Sequence, residues 1–196
     1  TATATGTVNI EAGGTFLNAS GGTIRQIAGS SFSNAGTFTN LGSLYGGTFT
    51  NEAGGLFQHS AGSAIGDYNA IAVINNGTFD IGYGSASPAT TALTGTFTQS
   101  STGKLALRAD WATGTSDRLA ITGNATLAGT VVVTALNFPS TPKLTKTFTD
   151  IVTTTGTLNA TALTATDTAA VDYELIKKTQ AIDLSATINF QGIQTG

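Results

Sequence analysis

Five phenylalanines recur along the chain at nearly constant spacing: Phe16, Phe38, Phe57, Phe79 and Phe97, in steps of 22, 19, 22 and 18 residues. Each has a glycine two positions before it, at Gly14, Gly36, Gly55, Gly77 and Gly95. Threonine separates the two in four cases and Leu56 in the fifth. A period of about 20 residues requires a stacked architecture, because a unit that small buries its apolar face only against its neighbours. The five phenylalanines are therefore expected to form one core ladder.

The local pattern says how a turn is built. Gly6-Thr7-Val8, Gly14-Thr15-Phe16 and Gly22-Thr23-Ile24 start eight residues apart. Three such units make one turn of about 22–24 residues, within the range of known solenoids. Two further series, Ile27-Phe49-Ile71 and Ile10-Phe32, step by 22 and suggest second and third ladders, hence a triangular cross-section. In Thr37-Phe38-Thr39, Thr48-Phe49-Thr50 and Thr96-Phe97-Thr98 an aromatic alternates with threonine. Strand side chains alternate between faces, so Phe points inward and Thr toward water. The preceding glycines are expected at corners that need positive φ.

Composition fits this reading. Only 10% of the residues are charged, against about 25% in an ordinary soluble domain, and 40% are hydrophobic. Ten phenylalanines at a net charge of −3 argue against disorder. No basic run exists, which excludes a nucleic-acid footprint and a polybasic membrane patch. Apolar stretches fall well short of a membrane span. Cysteine is absent. This fits a cytosolic protein without disulfides, or one exported across two membranes, where a premature disulfide would block passage of the unfolded chain. Methionine is absent as well, including at the start. The expectation is an excised piece, beginning mid-pattern at Thr1 and without a signal peptide.

The style of the sequence changes near residue 100. Residues 1–100 hold five charged side chains and residues 101–196 hold fourteen. Segments 58–76 and 82–94 interrupt the first-half rhythm, with loops expected at 66–69 and 85–88, the latter carrying Pro88. In the second half, longer strands are expected at 104–108, 118–122, 129–135, 147–153, 173–178 and 181–190. Turn signals fall between them, and a hairpin over 172–191 turns at Lys178-Thr179-Gln180. This suggests solenoid rungs in 1–100 and a sandwich-like cap in 101–196.

Candidate chemistry is sparse. His59 is the single histidine, so neither a catalytic triad nor a metal cluster assembles around it locally. Its equivalents are expected at Asn18, Asn40, Ile81 and Gln99, mostly amides suited to a stacked ladder. Asp67 and Asp80 are the best carboxylate pair in the first half. Glycoside hydrolysis needs two such acids, yet few other charges accompany them. Asp117 reads as a turn acceptor for backbone N–H groups, with calcium as the minor reading. Trp111 reads as a plug over an open core end, or as a sugar-stacking ring. The Thr-x-Thr triplets suggest an ice-binding array, but Thr78-Phe79-Asp80 and the loops break it. Asn-x-Ser/Thr sites at Asn18, Asn76, Asn124 and Asn159 are unsurprising in a Thr-rich chain. No catalytic, metal or cofactor site is expected.

Gly103-Lys104-Leu105-Ala106-Leu107 is followed by Ser116-Asp117-Arg118-Leu119-Ala120-Ile121-Thr122-Gly123-Asn124, and then by Leu127-Ala128-Gly129-Thr130-Val131-Val132-Val133. This order resembles the C-terminal passenger region of bacterial autotransporters, the pertactin-like autochaperone segment. Phe148–Val152, Thr155–Leu158, Tyr173–Leu175 and Ile182–Leu184 resemble its later strands. Phe148 stands where Tyr is common, and Leu158 where Phe is common. The family's linking helix and membrane barrel are not in these residues. The resemblance implies a right-handed parallel β-helix ending in a sandwich-like cap. It also implies a monomeric, non-enzymatic passenger on a Gram-negative surface or secreted from it. It gives the segment its own outer-membrane β-barrel as a partner but does not say what the passenger binds; a host surface or a glycan is the ligand class left open. The segment itself would not insert into the membrane. Leu105, Leu107, Leu119, Ile121, Leu127, Val131 and Val133 are the expected core of a cap that nucleates folding. The alternatives are a polysaccharide-degrading β-helix enzyme and a glycan- or surface-binding adhesin module.

Overall fold

A computed structural model describes residues 2–4, 6–27, 29–60, 63–140 and 143–189. These residues form an all-β solenoid without a helix. The strands are β1 (Ala2–Ala4), β2 (Thr7–Ile10), β3 (Thr15–Asn18), β4 (Thr23–Gln26), β5 (Ser31–Asn34), β6 (Thr37–Asn40) and β7 (Ser43–Tyr45). Next come β8 (Thr48–Asn51), β9 (Leu56–Ser60), β10 (Ala64–Ile65), β11 (Ile71–Asn75), β12 (Thr78–Tyr83) and β13 (Thr90–Gln99). The last are β14 (Lys104–Asp110), β15 (Thr115–Ser116), β16 (Arg118–Thr122), β17 (Ala125–Leu136), β18 (Thr145–Thr154), β19 (Leu158–Ala165), β20 (Val171–Lys177) and β21 (Ala181–Ile188).

Three strands make a turn; the Gly-Thr-apolar units at β2 and β3 each head a stack among the described strands, and the one at β4 continues a stack that β1 begins, Ala2 pairing with Ile24. Val8 pairs with Phe32, and Phe32 with Phe49, Val73, Phe97 and Ala125 in succession. Phe16 leads to Phe38, Phe57, Phe79, Leu105 and Val131. Ile24 leads to Leu44, Ile65, Leu93 and Ile121. Core residues alternate with outward Ser and Thr along each short strand, as in the buried-every-second pattern of β6 and β8. Rings in neighbouring stacks touch as well, Phe49 against Phe57 at 4.6 Å and Phe32 against Phe38 at 4.8 Å. The core is thus a continuous aromatic column.

Three expectations change. Phe97 belongs to the Val8–Phe32 stack, and Leu105 occupies its expected place above Phe79. The series Ile27-Phe49-Ile71 and Ile10-Phe32 are not ladders either, since Phe49 pairs with Phe32 and Val73, and Ile10 with Asn34. The reason is unequal corners. Only Gly46 and Gly47 separate β7 from β8, whereas residues 27–30 separate β4 from β5. A fixed step of 22 therefore slips register. Phe16 stays in its ladder but is 40% exposed, because no described strand covers β3 on its outer side.

The corner glycines have a different cause from the one expected. Gly14, Gly36, Gly55 and Gly77 do not adopt positive φ; of the five, only Gly95 does. A Cβ on Gly36 would collide with the carbonyl of Gly14, and one on Gly77 with that of Gly55. Those carbonyls accept the next rung's amides, Gly14 O from Thr37 N at 2.9 Å and Gly55 O from Thr78 N at 2.9 Å. Close rung-to-rung approach, not backbone handedness, demands glycine here.

Parallel stacking crosses residue 100 without a break: β13 pairs with β16 and β17, and β14 with β17 over seven residues. The interrupted segments also contain rungs, β10, β11 and the start of β13. The expected strand at 118–122 is β16, and the expected hairpin is β20–β21. β19 lay outside the expected set of long strands. Phe190, the end of the expected last strand, and Gln191, the end of the expected hairpin, lie outside the described residues.

Candidate functional site

Beside the apolar ladders run two buried amide ladders, each two residues past a core side chain. In the first, Asn18 Nδ2 donates to Asn40 Oδ1 at 2.7 Å, and Asn40 Nδ2 meets His59 Nδ1 at 3.0 Å. An amide N–H can only donate, so His59 Nδ1 is the unprotonated acceptor and Nε2 carries the hydrogen toward Ser63 O at 3.3 Å. Burial pushes the imidazole down to about 4, opposed by the Ser63 carbonyl. His59 is thus a neutral terminus of an amide ladder. Asn18 and Asn40 were expected there. Gln99 instead belongs to the second ladder, which the sequence reading missed. There, Asn34 Nδ2 donates to Asn51 Oδ1 at 2.8 Å, Asn51 to Asn75 at 2.9 Å, and Asn75 to Gln99 Oε1 at 3.0 Å. Gln99 Nε2 ends the run on Ala128 O at 2.8 Å. The recurring Phe-x-Asn of Phe32–Asn34 and Phe49–Asn51 was its signal.

The most charged locus is Arg108 with Asp117. Asp117 is fully buried and each carboxylate oxygen accepts two hydrogen bonds. Oδ1 takes Ala89 N at 2.8 Å and Arg108 Nη2 at 2.7 Å; Oδ2 takes Arg108 N and Nε, both at 2.8 Å. Asp117 is the backbone acceptor expected from the sequence, with an added guanidinium fork. Arg108 also donates to the carbonyls of Ser85 and Ser87, fastening the 84–89 loop to the rung. The Asp117 hydrogen bond holds the guanidinium even higher than usual. Gly82 lies so close that a Cβ would strike Asp117 Oδ2.

Asp80 and Asp67 are not brought together as a pair. Asp80 sits on β12 in a cleft shared with Tyr83, Arg108 and Thr134. Burial pushes its carboxyl up, and the Asp117 charge adds to this against a bond from Gly82 N. Asp67 is exposed at the corner after β10, in a different groove with Ser20 and Ser43. The acid that Asp80 does face is Asp117, whose carboxylate oxygens already accept four hydrogen bonds and leave no lone pair for a substrate. Among the described residues no group of three or more His, Asp and Glu side chains is arranged to hold a metal.

The two ends of the solenoid differ. At the C-terminal end β18 runs parallel to β16, Leu119 facing Val152, and antiparallel to β21. β21 in turn pairs antiparallel with β20 over seven residues. The register shift between Phe148 and Val152 places Asp150 at positive φ, and its N–H is accepted by Asp183 Oδ1 at 2.8 Å. Lys178 Nζ holds the other Asp183 oxygen at 2.5 Å. Trp111 is buried edge-on between Phe138 (5.5 Å) and Phe148 (5.8 Å), in keeping with the plug role. Leu105, Leu107, Leu119, Ile121, Leu127, Val131 and Val133 are all buried in the rungs leading to this end. At the other end Phe16 and Leu17 are exposed, and β2 and β3 each have one paired edge among the described strands.

Compared with models of known protein families the chain matches none, and no curated protein matches its sequence.

Proposed function

We propose that this chain is a structural, non-enzymatic passenger segment of a surface-exposed or secreted autotransporter, whose C-terminal end templates the folding of the rungs before it. The asymmetry of the two ends carries this reading. The β20–β21 hairpin turns within three residues, Lys178 N closing on Ala181 O at 2.8 Å, so it needs no pre-formed neighbour. Through β18 it offers a paired parallel edge to β16. A short rung such as β6 or β8 has no such local partner. It recovers its ordering entropy only on a formed neighbour. Growth from the C-terminal end toward Thr7 follows. Rungs folding outside a pore cannot slip back, which would bias export outward without ATP. The resemblance of residues 103–133 to autochaperone segments adds the biological setting. The working partner in that setting is the family's outer-membrane barrel.

Folding kinetics test this. Val152→Ala and Leu127→Ala should slow refolding in proportion to their loss of stability, whereas Ile24→Val and Phe38→Leu should mainly speed unfolding. The reverse partition would sink the templating direction.

A further inference from the structure

The outer side of the β4–β7–β10 stack carries an arrangement that the folding role does not use. Tyr68 is 73% exposed and packs on Tyr45 with ring centroids 5.1 Å apart. Two tyrosines held together in water are unusual unless a face is being presented. Tyr45 and Ser43 project from the same side of β7, and Arg25 stands beside Tyr45 in register on β4. Ser43 continues into a shallow groove of about 330 Å³, floored by Gly22 and Gly42 and edged by Ser20, Ser63 and Asp67. The side chains of Ser20, Ser43, Arg25 and Asp67 make no hydrogen bond to another described residue. The ring pair adjoins the groove through Asp67, the chain neighbour of Tyr68, and through Ser43, two residues before Tyr45 on the same strand face, while Ser63 at the edge is already bonded to Ser60 O at 2.7 Å.

We infer that this groove binds a neutral hexose chain. The C–H face of a pyranose is apolar with weakly positive hydrogens. It lies on the electron-rich face of an aromatic ring, which is what the exposed ring of Tyr68 offers. A carboxylate accepts both hydroxyls of a vicinal diol, the role of Asp67, while Arg25 and the two serines bond the remaining hydroxyls. The opposed charges of Arg25 and Asp67 favour an uncharged sugar over an acidic or basic one. An apolar peptide would find too little hydrophobic lining between Ser20 and Ser43. The site stands independently of the export reading, since either can hold without the other.

Saturation-transfer NMR on the intact chain tests the site with four probes: maltohexaose, cellohexaose, mannohexaose and chitohexaose. The expected result is transfer to the pyranose C–H protons of at least one. Tyr68→Ala and Asp67→Ala should each weaken its affinity by about tenfold or more, one good contact's worth. Tyr68→Phe keeps the ring and should stay within about threefold of the native chain. Both positions are exposed, so circular dichroism and thermal midpoints should be unchanged in all three variants. Absence of transfer from all four probes, or binding that survives Tyr68→Ala undiminished, overturns the proposal.

Discussion

Acid should unfasten the first amide ladder at His59. The imidazole accepts from Asn40 Nδ2 and is held down to about 4, against an ordinary value of 6.5. Protonation would place N–H against N–H. In the unfolded chain the same side chain takes its proton near pH 6.5. Between pH 6.5 and 4 the unfolded state thus binds the proton and the folded state does not, so stability falls as pH falls through that window and levels off below it. The single-site linkage gives losses of about 1 kcal/mol at pH 6, about 2 at pH 5 and about 3 at pH 4. His59→Asn removes the titration while keeping an amide in the ladder. Urea unfolding of both proteins at pH 7.5, 6, 5 and 4 isolates the histidine from the carboxylates, which titrate in both. The native chain should lose about 3 kcal/mol more than the variant by pH 4. Parallel pH profiles, or a His59 Cε1–H resonance titrating near 6.5 in the folded state, would refute the reasoning.

Other perturbations have equally definite outcomes. Phe57→Ala, fully buried between Phe38 and Phe79, should cost about 3–5 kcal/mol in urea unfolding, and Phe16→Ala in the same ladder only about 1, because its ring is partly in water. Asn51→Ala leaves the buried Asn75 Oδ1 without its donor and opens a cavity; a loss of roughly 3 kcal/mol is expected by the same assay. Arg108→Ala strands the buried Asp117 carboxylate and frees the 84–89 loop, which should cost about 3–5 kcal/mol and expose the Ser85–Ala89 segment to limited proteolysis.

What the sequence disclosed and what it hid follow from range. Val8, Phe16 and Ile24 were legible as three strands of one turn because strand alternation and eight-residue spacing are local. Stacking register was not, because it depends on corner lengths. The two glycines at 46–47 shorten one turn, and the 84–89 loop lengthens another. Phe97 looked like the next ladder residue by count, although its rung belongs to a neighbouring stack. Asp67 and Asp80, close in sequence, fall on different parts of one turn. The Arg108–Asp117 fork depends on a loop folding back from the preceding rung, which no spacing encodes. Asn18 and Asn40 were readable as partners of His59. Asn34, Asn51 and Asn75 carried the same offset from a core residue, but their column was hidden by the slipped register. The change of composition near residue 100 was real, yet it marks longer corners and strands, not an end to parallel stacking.

Pulse-labelled hydrogen exchange during refolding, read by peptide mass spectrometry, tests the central claim most directly. Amides of β18, β20 and β21 should gain protection first, those of β14 to β17 next, and those of β2 and β3 last. Protection that begins at β2–β6, or that rises everywhere at one rate, would contradict growth from the closed C-terminal end.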